Sequence, residues 1–319
     1  MKFIDRILTA TLNTKMEGPT PVEQKQVEMA HALWGVFTPY FKWVFIIAIS
    51  TVIGNVAYSS ATGWYSSSET QDLATADAND SWDDTNDKCS VAGINLHGEL
   101  FTYIPNHSES DPSFNADSVA SENITWAIRL ANKDPKIKAI LVEVDSGGGS
   151  PVAGEEISTA IENSDKPVIA HIREYGTSAA YWAISSADKI FASKNSDVGS
   201  IGVTSSHLNN VAKNQKEGYF YEQLSAGKYK DSWSPDKPLT SEERALFLRD
   251  INIVHANFIE TVSRNRNLPL EEVKRLADGS TVLGERAKTL GLIDEIGGEN
   301  EVNNYLEEII GEKPEVCWR

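Results

Sequence analysis

The balance of apolar and polar positions changes character three times along the chain. The most apolar stretch, residues 43–58 (WVFIIAISTVIGNVAY), reaches the roughly 20 residues that cross a bilayer when extended through Phe41 and Ala61. Ser50, Thr51, Gly54 and Asn55 interrupt it, and a buried core helix is the competing reading. Residues 65–88 are rich in Ser, Asp and Asn and too poor in apolar side chains to repay chain entropy by burial, which predicts a flexible tether. From Cys89 onward short apolar runs alternate with amphipathic stretches. The expected organisation is therefore a segment 1–40, a membrane-spanning anchor 41–61, an acidic linker 62–88 and a folded domain 89–319.

Within that domain SVAGINLHGEL reads as a strand, residues 121–132 as a helix, and KAILVEV (138–144) as a strand buried on both faces. A glycine-rich turn leads into a helix at 153–163 and a strand at 167–172. TSAAYWAISSA reads as helix, KIFAS as a short strand, and VGSIGV ends in glycine turns. Thr240 and Glu243 form a capping box for a long helix running through Arg264, and shorter helices follow near 270–277, 285–290 and 301–310. Such alternation predicts an α/β core with a parallel sheet.

Charge sharpens the picture. Lys2, Arg6, Lys15, Lys25 and Lys42 precede the apolar stretch, whereas no Lys or Arg follows it until Lys88. The positive-inside rule then places residues 1–40 in the cytoplasm and the folded domain outside, across a single-pass inner membrane. A cleaved signal peptide is disfavoured by the 42 residues before the run. The net charge of −17 excludes nucleic acid as an expected partner, because phosphate binding needs a basic face. The six histidines are scattered and the two cysteines, Cys89 and Cys317, match no metal spacing, so no metal or cofactor is expected. In an oxidising compartment the cysteines would pair only if their Cα atoms lay within about 7 Å, which the sequence leaves open.

Three segments could carry chemistry. Asp145–Ser150 (DSGGGS) joins a buried strand to a helix, where glycines let backbone N–H groups face a developing oxyanion. A nucleotide P-loop is excluded, since no Lys-Ser/Thr follows the glycines. Ser178, in YGTSAAYW, begins a helix after a strand, but an N-cap serine explains that position equally well. It is not the Gly-x-Ser-x-Gly elbow of α/β-hydrolases. Lys228 and Lys230, in GKYKD, could act as a base only with a depressed pKa; two solvated lysines are the plain alternative.

In their order and spacing these segments resemble the signal peptide peptidase A (SppA, S49) family of Ser/Lys proteases, which has a Clp/crotonase-like α/β fold. The resemblance runs through Asp145–Gly149, Thr177–Trp182, Ala187–Ile190, Gly199–Val203 and Gly227–Lys230, and on through Phe258, Val262, Gly284, Ala287 and Gly291–Asp294. It implies Ser178 as nucleophile, Lys230 rather than Lys228 as general base, and the N–H groups of Gly148 and Ala179 as oxyanion donors. Ser200 is a candidate to orient the lysine, with a plain turn residue as the equal alternative. Two departures stand out: Gly147 replaces the family's proline, and Ala179 and Ala180 replace two glycines whose absence narrows the room beside Ser178. The resemblance further implies extended, membrane-proximal peptides such as spent signal peptides as substrates. It also implies a ring of copies whose sites share residues between neighbours. His171 is the alternative base, although a structural core histidine is the better reading of its place in PVIAHI. A catalytically impaired binding scaffold and an acyl-CoA enzyme of the crotonase type are the alternative functions.

Overall fold

The computed structural model describes residue 82, residues 88–104 and residues 118–319. The chain divides into two units, Met1–Ala76 and Asp77–Arg319, and every described residue belongs to the second. The expected cytoplasmic segment 1–40 and anchor 41–61 lie outside the described residues, as does nearly all of the linker 62–88. No helix among the described residues is long and apolar enough to cross a membrane.

Among the described residues the domain is built on a nine-stranded sheet whose main path runs β2 (Ser118–Ala120), β1 (Val91–Phe101), β3 (Ala139–Gly149), β4 (Val168–Thr177), β5 (Lys189–Ala192) and β8 (Glu295–Ile296). Every pairing is parallel except that of β6 (Asp197–Gly199) with β7 (Thr281–Leu283). The sheet is covered on both faces. Ile140, Val142 and Val144 of β3 pack into the larger core with α1 (Ser121–Lys133), α2 (Pro151–Glu162) and α3 (Ala179–Ile184). The alternate residues Ala139 and Leu141 join Val91, Ile169 and Phe191 beneath Val302 and Leu306 of α8 (Glu299–Ile310). This two-sided burial is why β3 reads as an unbroken apolar run.

The remaining helices are α4 (Val211–Glu217), α5 (Ser241–Asn265), α6 (Leu270–Leu276) and α7 (Gly284–Thr289). The capping box forms as the sequence predicts: Glu243 N–H donates to Thr240 Oγ1 at 3.2 Å, and Thr240 N–H donates to Glu243 Oε2 at 2.9 Å. The residues 203–210 and 218–240 that flank α4 carry no regular element, and nearly all of 204–230 is exposed.

A ninth strand, β9 (Val316–Trp318), was not evident in the sequence. It pairs parallel with the start of β1, matching Ala92 with Cys317. That register brings the Cys89 and Cys317 Cα atoms to 5.8 Å, and the two are joined as a disulfide across 228 residues of chain. Trp82, within the expected linker, is 2% exposed; its backbone N–H donates to Asp134 and its indole N–H to the Cys317 carbonyl. The segment before Cys89 is thus fastened to the domain at that point.

Candidate active site

The site forms where β3, β4 and β6 end side by side. Beyond residue 144 the β3–β4 register shifts, and Ser146 pairs with Gly176. The buried Ser146 hydroxyl donates to the Gly98 carbonyl at 2.6 Å and accepts the Gly148 N–H at 3.1 Å, which fixes the glycine turn against β1. Gly149 (φ +151°) lies against Leu100, where a Cβ would sit 2.3 Å from a backbone oxygen, so no other residue fits. Ser150 then caps α2, accepting the Ala153 N–H at 3.4 Å.

Ser178 follows directly on β4. Thr177 pairs with Gly199, and Ser178 N–H donates to the Gly199 carbonyl at 2.8 Å. The backbone must turn sharply here to enter α3, and Ser178 takes φ 54°, ψ −128°. A non-glycine residue in such a region costs about 1–3 kcal/mol, which surrounding structure has to hold in place. Its side chain makes no cap hydrogen bond, so the N-cap role that the sequence allowed is not the one it performs. Ser200, next along from the paired Gly199, is likewise at positive φ (50°). Two strained serines therefore stand at adjacent strand ends, both lining one cavity of about 480 Å3.

Gly148 faces Ser178: a Cβ on Gly148 would lie 2.7 Å from Ser178 Cβ and 2.9 Å from the Ala179 nitrogen. Ala179 opens α3, so its N–H has no acceptor within the helix. The Ala180 methyl is fully buried in the core and is absent from the cavity lining; Ala179 lines it. Of the two alanines only Ala179 therefore narrows the space beside Ser178. The floor includes Trp182 and Phe258, whose rings stack at 4.7 Å and 11°.

The structure brings Ser178, Ala179 and Ser200 to this cavity and sets Gly148 against Ser178; it does not bring Lys230 there. Lys230 lies at the end of the exposed 218–230 stretch, its side-chain nitrogen without a hydrogen-bond or ion-pair partner among the described residues. Lys228 pairs with Glu242 at 2.5 Å, and that hydrogen bond holds its pKa above the usual lysine range, contrary to what a base requires. The Ser200 hydroxyl donates to the Gly279 carbonyl at 3.0 Å rather than to a lysine. His171 faces a separate cavity with Glu143, Asp145, Arg173 and Glu299; burial pushes its pKa below the ordinary histidine range, outweighing the Glu143 charge.

His255 and Asp278 escaped the sequence reading, yet both line the Ser178 cavity. Nε2 of His255 and Nε1 of Trp182 are buried without a hydrogen-bond partner among the described residues. No sequence signal links these residues, because α5 and the 277–280 turn reach the site only through tertiary packing. No three histidine, cysteine or carboxylate side chains among the described residues converge to hold a metal.

A parallel α/β sheet that presents a strained serine beside a glycine-rich turn defines the class of this site. The chain matches the family model Peptidase family S49 over residues 160–311. It is 32% identical over 185 residues to a Synechocystis protein named provisionally as a protease, covering 57% of this chain and 67% of that one. It is 30% identical over 230 residues to Protease 4 of Haemophilus influenzae, covering 71% of this chain and 36% of the relative. A provisionally named protease of Methanocaldococcus jannaschii is 36% identical over 179 residues, 56% of this chain and 58% of that protein. Among solved structures, a ClpP1 N165D mutant from Listeria monocytogenes aligns with a TM-score of 0.42 at 15% identity, covering 66% of this chain and 92% of that one. The chain belongs to peptidase family S49. It spans 36% of the Haemophilus relative and 58% of the archaeal one.

Proposed function

We propose that this chain is a serine peptidase in which Ser178 is the nucleophile and Lys230 the general base. The observation that carries the reading is the strained Ser178, free of any cap hydrogen bond, held against Gly148 and lining an open cavity. A serine reserved for helix capping has no reason to occupy that conformation.

In the proposed reaction the neutral Lys230 Nζ takes the Ser178 Oγ proton as Oγ bonds to the peptide carbonyl carbon. The Ala179 N–H meets the developing oxyanion. The Gly148 N–H joins it by exchanging its Ser146 acceptor for the substrate oxygen. Collapse breaks the C–N bond, and the Lys230 ammonium returns its proton to the leaving amine. Water activated by Lys230 then cleaves the ester and restores Ser178.

Because Lys230 stands outside the cavity lined by Ser178 of its own chain, the base reaches each site from a neighbouring copy in a ring. The exposed Leu208, Phe220 and Leu224 supply apolar surface for that assembly, being 83%, 93% and 87% exposed. The apolar stretch 41–61 anchors the chain, with the domain outside the cytoplasm and membrane-proximal peptides, including signal peptides, as substrates. The Cys89–Cys317 bridge is compatible with that compartment. Covalent labelling by a fluorophosphonate probe tests the nucleophile. Labelling at Ser178, lost in Ser178→Ala, is expected, whereas an unlabelled wild-type chain would favour a binding scaffold.

A further inference from the structure

The Ser178 cavity contains a carboxylate to which the proposed reaction gives no role. Asp278 sits on a turn sewn to the Ser200 segment by three hydrogen bonds: Ser200 N–H to the Ser280 carbonyl, Gly279 N–H to the Ile201 carbonyl, and the Ser200 hydroxyl to the Gly279 carbonyl. The Ser200 segment in turn accepts the Ser178 N–H through Gly199. Asp278 is thus fixed relative to Ser178 by two backbone–backbone hydrogen bonds and one from the Ser200 hydroxyl.

The side chain is oriented as well. Ser280 donates its N–H at 2.9 Å and its hydroxyl at 2.5 Å, both to Asp278 Oδ1. These donors hold the Asp278 pKa below the usual carboxylate range, and the residue is exposed to solvent. Among the described residues no lysine or arginine of the same chain lines the cavity, and His255 is its other titratable side chain. Asp278 is the one carboxylate among the described residues that line the cavity. Part of the wall suits an aliphatic stem: Pro151, Val203 and Ile251 line it together with the stacked Trp182 and Phe258, alongside the polar Thr204 and Asn252. Apolar lining residues beside an ionised, solvent-exposed carboxylate are complementary to a side chain that is aliphatic along its length and cationic at its tip.

We infer that Asp278 is a specificity-determining residue that selects substrates bearing a lysine or arginine side chain beside the scissile bond. The inference rests on the peptidase reading for the words "scissile bond" but not for the binding preference.

The test is equilibrium binding, which needs no turnover. The full chain carrying Ser178→Ala is titrated at pH 8 with three peptides that differ at one position: lysine, the uncharged isostere norleucine, and glutamate. The lysine peptide is expected to bind about fivefold more tightly than norleucine, in the range of a solvent-accessible ion pair, with glutamate weakest. The lysine advantage should shrink as salt rises. Adding Asp278→Asn, which keeps an Oδ1 acceptor for Ser280, should bring the lysine-to-norleucine ratio to about one. Equal binding of the three peptides, or a ratio that survives Asp278→Asn or is indifferent to salt, would overturn the inference. A lysine preference in a chain whose unmutated form hydrolyses none of the peptides would leave the cation site standing and overturn the peptidase reading instead.

Discussion

Gly148 and Ser178 are packed so closely that the glycine has no room for a side chain: a Cβ there would approach Ser178 Cβ to 2.7 Å. The glycine also adopts φ +103°, which an L-residue rarely takes. The strained serine and the glycine turn therefore form one unit. Gly148→Ala should both shift Ser178 and strain the turn, lowering thermal stability by about 1–3 kcal/mol and peptide turnover by at least about 100-fold. Calorimetry and steady-state kinetics on the same preparation separate the two effects.

The two lysines of the GKYKD segment should behave very differently. Lys228 is committed to Glu242 and its pKa is raised by that partner, so Lys228→Ala is expected to change turnover by no more than about twofold. If Lys230 reaches the site of a neighbouring copy, mixing inactive Ser178→Ala and Lys230→Ala chains under conditions of subunit exchange should restore part of the activity. No recovery on mixing would confine the dyad to one chain.

The disulfide joins the start of β1 to β9 and closes nearly the whole domain into one loop. Removing it by Cys89→Ser with Cys317→Ser should cost about 2–4 kcal/mol in reversible unfolding. The single variants should cost about as much as the double, because either alone breaks the bridge.

At the start of α5, the Lys237 ammonium, followed by the Thr240 backbone N–H, lowers the Glu243 carboxyl pKa to about 2. A depressed carboxylate stabilises the fold above its unfolded pKa and loses that contribution as pH falls. The window therefore runs from about 4.5 downward, with the loss complete below about 2. Melting temperatures measured across this range should fall less steeply for Glu243→Gln than for the wild type. Thr240→Ala, which removes the cap oxygen, should cost about 1 kcal/mol at neutral pH.

Much of this architecture is legible in sequence because the sheet is buried on both faces. The runs at 138–144 and 167–172 have few polar residues to confuse the period, and Thr240 with Glu243 marks its helix start by a local rule. The short strands β6 to β9 carry no such signal; their pairing partners lie far away in sequence. Ser178 reads as an ordinary cap until its backbone angles are known, and the cysteine pairing stays open until the β1–β9 register closes the gap. Asp278 and His255 join the cavity through the packing of α5 and one turn, a relationship that no spacing rule encodes.

The most direct test of the account is hydrolysis of an extended peptide by the purified full-length chain, compared with Ser178→Ala and Lys230→Ala. Turnover by the wild type, reduced by at least about 1,000-fold in each variant, is the predicted result. Wild-type rates persisting in either variant would contradict the Ser178–Lys230 assignment.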